Sequence, residues 1–442
     1  MRNQMHALLI IDYNLSRIED VKAIRQYVSD QYEMALILIR PKPDKADFIV
    51  ADQVIDLNPL HRNFVTDALS QLKNLPYTIC AGLVFSDNAV HNGAALLEAL
   101  DLYTDSATLA HNAFCKFEYR EQEQKIRSLL EAQKLFVPNY QEINDAITLQ
   151  GFIDKNPQGI VIKPKQEGNN RGVIVLQNPD EIERNKALAE VDIYMSAGVI
   201  AEQLIPYSCE YSFDGIGGHH FITEKFSIRG RYPVEIGQLV PAAITPSRAS
   251  AIINAGRLAN LIVGQSKGAF HNEILVSDNN EYAAVVEANR RPAGMKIWTL
   301  ASLVFQQNLY ARWVDSVIAP DIQPPPLIPC GSAMTIMLPP VTPMLAGFIL
   351  NNLEFLIEDL KVDFKSHYPD VFTTIEWVHC DAIASESKFL HFPPRDNSDF
   401  IAALVIYSSL AAAEIKPYFE IIRSLWCQVL DRFLQQSEQR LA

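Results

Sequence analysis

The chain has 442 residues, 48% of them apolar, which suffices for roughly two to four domains with a sizeable core. Its formal charge of -14, from 52 acidic against 38 basic residues, argues against nucleic acid or an anionic membrane as the main partner, since both reward clustered Lys and Arg. A small anionic substrate in a locally basic pocket stays compatible with that balance. Cys80, Cys115, Cys209, Cys330, Cys380 and Cys427 are scattered, with no CxxC pair and no zinc-like spacing, so free thiols in a reducing compartment are expected. The apolar stretch Ala7 to Ile11 is too short for a signal peptide, and the run Ile401 to Ala413 falls short of a membrane span. A soluble, cytoplasmic protein is the expectation.

In chain order, the first hundred residues alternate in period. Strand-like runs at 6–11, 34–39 and 77–85 are separated by segments of helical spacing at 18–28 and 64–75, and another helical segment follows at 89–100. Buried apolar runs between amphipathic helices predict a parallel sheet covered on both faces. No G-x-G-x-x-G follows the first run, so no dinucleotide site is expected there. From about residue 150 the texture becomes α+β. Strands are expected at 159–163, 173–176 and 199–205, with a helix beginning near Pro179. Further strands at 211–214, 221–228, 234–240, 269–276 and 282–288 are broken by a long helix at 247–263. The proline-dense stretch 320–329 reads as an extended boundary, followed by a smaller α/β-like region that closes on a helix over roughly 411–435. The domain boundaries expected are 1–112, 113–320 with a lid subdomain at about 138–203, and 330–442.

The chemistry concentrates in three segments. Phe270 to Gly294 reads as strand, turn, strand, with Asp278-Asn279-Asn280 as the turn. If those strands pair, Glu273 and Glu287 converge on one face, and alternation adds Asn289 and Arg291 to it. Two carboxylates and an amide oxygen are the hard donors that magnesium takes together with a triphosphate. The bland alternative is a solvated polar face, which an isolated acidic pair usually is. In Ile162 to Val173, Lys163 ends an apolar strand before a loop rich in Gly and Asn. There Gly168 and Gly172 allow close backbone approach to phosphate, although a plain hairpin looks the same. In Ala201 to Gly215, the strand end Glu202-Gln203-Leu204 offers backbone groups to an adenine edge, and Glu210 offers a carboxylate to a ribose.

Together, in order and approximate spacing, these segments resemble the ATP-grasp superfamily, in particular its carboxylate–amine ligases of the L-amino-acid ligase branch. The resemblance covers roughly residues 105–300. It implies a multidomain α/β and α+β protein with an ATP-grasp fold, an N-terminal parallel α/β domain and a small C-terminal α/β region. By resemblance Lys116 and Lys163 bind the nucleotide phosphates, Glu202, Gln203 and Leu204 line the adenine, and Glu210 takes the ribose. Glu273, Glu287 and Asn289 hold magnesium, or manganese, and Arg291 offsets charge on the transferred phosphoryl group. Lys116 and Arg120 have the family's spacing, but Pro138 comes later than the family places its proline, which leaves Lys125 as a rival first lysine. Glu202 to Glu210 is one residue longer than usual, and Arg290-Arg291-Pro292-Ala293-Gly294 lacks the common double glycine.

The activity implied is ATP-dependent amide formation through an acyl-phosphate, on amino acids or similar small acids and amines. A carboxylase, a ligase acting on a carrier protein, and a non-catalytic nucleotide-binding regulator are the alternatives; a homodimer is compatible with all of them. Arg229 or Arg231 would hold a substrate carboxylate, or else form a solvated basic turn. His219 and His220 are adjacent on a strand and face opposite ways, which argues against a shared metal. His379-Cys380-Asp381 lacks a partner base at readable distance, so a cysteine nucleophile is not expected there.

Overall fold

The computed structural model describes residues 5–168 and 171–441. Strands β1 (Met5–Ile11), β2 (Ala35–Arg40), β3 (Gln53–Asp56) and β4 (Tyr77–Val84) form a parallel sheet in the order β3-β2-β1-β4. The reason lies in β1. Leu8 and Ile10 join one apolar core while Ala7, Leu9 and Ile11 join another on the opposite face, so both faces are covered. β3 was not expected from the sequence; it is four residues long and only half apolar, too short to show a period.

A second sheet, antiparallel, has the order β5-β8-β6-β7, from Tyr140–Ile143, Ile160–Pro164, Ile174–Leu176 and Val199–Gln203 as β5, β6, β7 and β8. Its two helices carry side-chain caps: Asp145 accepts from Thr148 N–H at 2.8 Å, and Asp180 from Glu183 N–H at 2.7 Å. The expected helix near Pro179 therefore begins at Glu181, because Asp180 is its cap and Pro179 stands just outside it.

The largest sheet has eight strands. Five are β9 (Cys209–Ile216), β10 (His219–Ile228), β11 (Val234–Val240), β12 (Ala269–Val276) and β13 (Ala283–Asn289). β14 (Ser332–Leu338) is the sixth; β15 (Met344–Leu345) makes a separate ribbon with β17 (Phe389–Leu390), and β16 (Ile375–Ala382) and β18 (Ala402–Ser408) complete the eight. The order is β13-β12-β9-β10-β11-β14-β18-β16, so the strands after residue 330 extend the sheet begun by β9. The proline-rich segment before them is held down: Arg312 donates to Pro325 O at 2.7 Å and Gln307 to Pro326 O at 3.0 Å. Among the described residues no helix is long and apolar enough to cross a membrane.

The parallel sheet meets the eight-stranded sheet through the helices Ile297–Phe305 and Leu309–Ile318. Trp298, fully buried, lies 5.2 Å from Tyr310 and 5.7 Å from Trp313 by ring centroids, and Phe85, just past β4, stacks on Tyr310 at 6.2 Å. Removing that indole opens a cavity between the two sheets. Trp298→Ala is expected to cost about 3–5 kcal/mol, read as a lower urea midpoint at an unchanged slope.

Candidate active site

The hairpin of β12 and β13 is closed by its turn: Ser277 and Tyr282 pair through the backbone at 2.9 Å, and Asn280 takes a left-handed φ of 62°, which asparagine tolerates. In the register, Glu273 stands opposite Glu287 and His271 opposite Asn289. Directly opposed residues share a face, so the two carboxylates and the amide converge as the sequence spacing requires. Asn289 is 2% exposed, and its Oδ1 has no hydrogen-bond partner among the described residues.

Each carboxylate of this face is already matched with a cation. Glu287 Oε1 lies 3.5 Å from Lys116 Nζ. Lys116 opens the helix Lys116–Lys125, whereas Lys125 ends it exposed to solvent, so the structure brings only the first of the two rival lysines to the hairpin. Lys225 on β10 sits 2.6 Å from Glu273, 3.0 Å from Glu210 and 3.4 Å from Glu235. Burial works against its charge, but the three carboxylates outweigh it and hold the ammonium well above its ordinary range. Glu210 also accepts from Ser227 Oγ at 2.6 Å. His271 is buried, yet Asp214 at 2.6 Å raises its pKa to about 9; Ser212 and Thr223 occupy the other oxygen of Asp214.

Lys163, at the end of β6, donates to Glu202 Oε2 at 2.7 Å, and Arg120 donates to the same oxygen at 3.0 Å. Burial alone would raise the Glu202 carboxyl. Arg120 and Lys163 reverse that and bring its pKa down to about 2. Burial also lowers Lys163 despite the pairing. The Gln203 N–H donates to Asn139 O at 2.7 Å and the Leu204 N–H to Gly159 O at 3.0 Å, so these strand-end donors are engaged within the sheet.

Of the loop after Lys163, Asn169 and Asn170 lie outside the described residues. Gly172 has φ +70°, and a Cβ there would meet Tyr194 at 2.7 Å and Pro164 at 2.9 Å, so no other residue fits without rearrangement. A Cβ on Gly168 would stand 3.4 Å from Asp87 Oδ2. Asp87 follows β4, at the carboxyl end of the parallel sheet where open α/β sheets bind ligands, and Arg291 Nε donates to it at 2.5 Å. Burial would raise the Asp87 carboxyl, but the guanidinium holds it below the usual range.

Arg229 and Arg231 are not brought to this cluster. Arg229 donates to the carbonyls of Tyr207 and Ser208, and Arg231 pairs with Glu190 at 3.3 Å beside the smaller antiparallel sheet. Among the described residues, His219 and His220 belong to no group of three or more potential metal ligands. Cys380 has its thiol pushed up to about 12 by burial, the opposite of an activated nucleophile. The sequence reading assigned no role to Asp87, Asp214 or Glu235. Asp87 carried no local signal because it comes from another sheet. The other two sit on the alternation of strands whose partners only the fold reveals.

No protein-family model and no curated protein matches the sequence. Solved structures do match the fold over nearly the whole chain. The L-amino acid ligase from Bacillus licheniformis aligns with a TM-score of 0.70 at 16% identity, covering 96% of this chain and 98% of that one. N5-carboxyaminoimidazole synthetase from Staphylococcus aureus, complexed with ADP, gives 0.63 at 15% identity over 96% and 98%. Carboxyaminoimidazole ribonucleotide synthase from Aspergillus clavatus, complexed with ATP, gives 0.65 at 12% identity over 97% and 99%. The chain has the ATP-grasp fold, with its N-terminal parallel domain, that the motifs suggested.

Proposed function

We propose that this protein is an ATP-dependent carboxylate–amine ligase that joins a small acid to an amine through an acyl-phosphate, releasing ADP and phosphate. The observation that carries the reading is the pairing of Glu273 with Glu287 across the hairpin, with Lys116 beside one and the unpartnered Asn289 Oδ1 alongside. The donor set suits magnesium or manganese bound with a nucleotide, where phosphate and water oxygens fill the positions that the protein leaves. When bound, the metal supplies positive charge to the phosphate oxygens.

Lys116 and Lys163 would hold the phosphates, with Gly168 and Gly172 letting the loop close over them. Glu202 to Leu204 and Glu210 would take adenine and ribose, which requires the N–H groups of Gln203 and Leu204 to exchange their present partners. Arg291 would face the phosphoryl group as the substrate carboxylate oxygen attacks the γ-phosphorus and ADP leaves. The amine then attacks the acyl carbon, phosphate departs with the C–O electron pair, and the ammonium proton goes to solvent. Closure of the loop keeps water from the intermediate. Arg229 and Arg231 would reach a substrate only by giving up the tyrosine and serine carbonyls and Glu190. Similarity to the N5-carboxyaminoimidazole synthetases favours a carboxylase as the second reading, distinguished by dependence on bicarbonate.

Magnesium-dependent ADP release, assayed with pools of amino acids as acid and amine, tests the reading; a new amide mass in the same tube identifies the ligase. Glu287→Gln is expected to lower turnover at least about 100-fold while the thermal melt stays cooperative. Turnover close to native in that variant would remove Glu287 from the site. Tight nucleotide binding without release under any condition would point to the regulator.

Glu202 also sets a pH dependence. Its folded pKa of about 2 lies below the ordinary value near 4.3, so the stability it contributes is complete above that value and fades as pH falls toward 2. Glu202→Gln leaves Lys163 buried without its carboxylate and Arg120 with Glu123 alone. The stability gap between native and variant chains should therefore be widest above about pH 5 and narrow steadily in acid, followed by urea denaturation across that range.

A further inference from the structure

Arg290 and Arg291 follow the last residue of β13 but turn to different surroundings. Arg291 meets Asp87. Arg290, 8% exposed, donates from Nη1 to Ser106 O at 2.9 Å and to Val263 O at 3.2 Å, and among the described residues no carboxylate lies within ion-pair distance of it. Burial lowers its pKa, and the more distant Asp105 and Glu98 offset only part of that. A buried charge is ordinarily matched by an opposite one.

Arg290 lines a cavity of about 40 Å³ between the parallel sheet and the start of β12. Leu83 and Val84 of β4, with Val90 and Leu97 of the helix Val90–Ala99, form its apolar wall. Asp105, Gln265 and Lys267 line the polar side. The Asp105 carboxylate is saturated. Its Oδ1 accepts from Ser266 N–H and Oγ at 2.8 Å each and from Lys267 N–H at 2.9 Å, and its Oδ2 accepts from Gly268 N–H at 2.9 Å. Lys267 Nζ donates to Thr104 O at 2.9 Å and lies 4.4 Å from the Tyr103 ring, again with no carboxylate in ion-pair reach among the described residues. Gln265 is 6% exposed, and its Nε2 has no hydrogen-bond partner among the described residues. A Cβ on Gly268 would stand 3.5 Å from that nitrogen and 3.6 Å from Asp105 Oδ2, so the amide faces the open space beside Gly268. The groups left short of partners, a guanidinium, an amide and an ammonium, are all donors.

We propose that this cavity is a binding site for a small carboxylate anion, of the size of formate or acetate, held by Arg290 and Gln265. The site is separate from the nucleotide cluster, and the inference does not depend on the ligase reading. Size limits the ligand, because the cavity admits about three water-sized groups, too few for a nucleotide or a sugar phosphate. The planar guanidinium fork matches two carboxylate oxygens, which a spherical halide does not offer. The Gln265 amide supplies a further N–H, and a short alkyl end would meet Val90 and Leu97. A bound anion would neutralise Arg290 where the parallel sheet meets the helix Leu309–Ile318, which contributes Trp313 and Val317 to the same cavity.

The test is a thermal melt of the full chain in sodium formate, sodium acetate and sodium chloride at matched ionic strength, up to about 100 mM, since a ligand of three or four heavy atoms binds with a Kd on the order of 1–10 mM. The variants are Gln265→Leu, which removes the donor at similar volume, and Gly268→Ala, whose methyl narrows the cavity and meets no atom closer than 3.5 Å. Neither changes the net charge, so general salt effects stay the same in all three proteins. Formate or acetate is expected to raise the Tm of the native chain about 1–2 °C above chloride at ten times its Kd, and both variants should lose that excess. No excess in the native chain, or an excess that survives both substitutions, overturns the site. A chloride shift equal to that of formate and acetate, and abolished by both variants, overturns the carboxylate assignment. If Gln265→Leu fails to fold, Gly268→Ala decides alone.

Discussion

The carboxylate of Glu202 is buried between the guanidinium of Arg120 and the ammonium of Lys163, and the placement of two sheets depends on it. Glu202 lies on β8 and Lys163 on β6, both in the smaller antiparallel sheet. Arg120, 1% exposed, reaches past them to donate to the carbonyls of Val285 and Val286 at 3.1 and 3.2 Å. Those carbonyls belong to β13, the edge strand of the eight-stranded sheet, which would otherwise present unpaired acceptors. One arginine thus caps an edge and ties the smaller antiparallel sheet to the strand that carries Glu287. Cutting any member strands buried charge, so the group acts as a unit.

The parallel sheet is fixed differently, by packing and by one ion pair. Phe85, Trp298, Tyr310 and Trp313 form a rigid apolar joint on one side. Arg17 reinforces it, with its guanidinium 4.7 Å from the Phe85 ring and a hydrogen bond of 2.8 Å to the Tyr310 hydroxyl. On the other side Asp87 meets Arg291, so the carboxyl end of β4 is held against the end of β13. Close-packed aromatic joints transmit position with little give. The last residue of the E-x-N-x-R segment is therefore oriented by a domain some two hundred positions earlier in the chain.

What the sequence made legible follows from range. The hairpin, its turn and the convergence of Glu273, Glu287 and Asn289 depend on alternation within twenty residues, and alternation survives folding unchanged. The parallel sheet was legible because continuous apolar runs mean burial on both faces. Partner choice was not legible. The strands after residue 330 read as a separate small region, yet β14 pairs with β11 and continues the sheet, because apolar strands do not announce their neighbours. Arg120 showed only a spacing relative to Lys116; its partners on β8 and β13 lie 82 to 166 residues away. Asp87 was invisible as a site residue for the same reason.

The cations proposed for phosphate share one more property: each is held in advance by a carboxylate. Lys116 faces Glu287, Lys163 faces Glu202, and Arg291 faces Asp87, while Lys225 sits among Glu210, Glu235 and Glu273. In that proposal a chain with a net charge of -14 still offers cations to a polyanion. The pairs lock long, flexible side chains into one geometry before a ligand arrives, which removes ordering entropy from binding. They also set its cost, since a phosphate must compete with a carboxylate already in place. Glu287 and Glu273 lower that cost in the proposed arrangement, because they would turn to the metal as Lys116 and Lys225 are freed. Glu202 cannot: it stays clamped by Arg120, so Lys163 keeps a carboxylate beside it whatever the loop admits. On this argument Lys116 is the lysine that changes partners with the nucleotide, and Lys163 is the fixed one, its charge shared between the sheet that carries it and the phosphate it would meet.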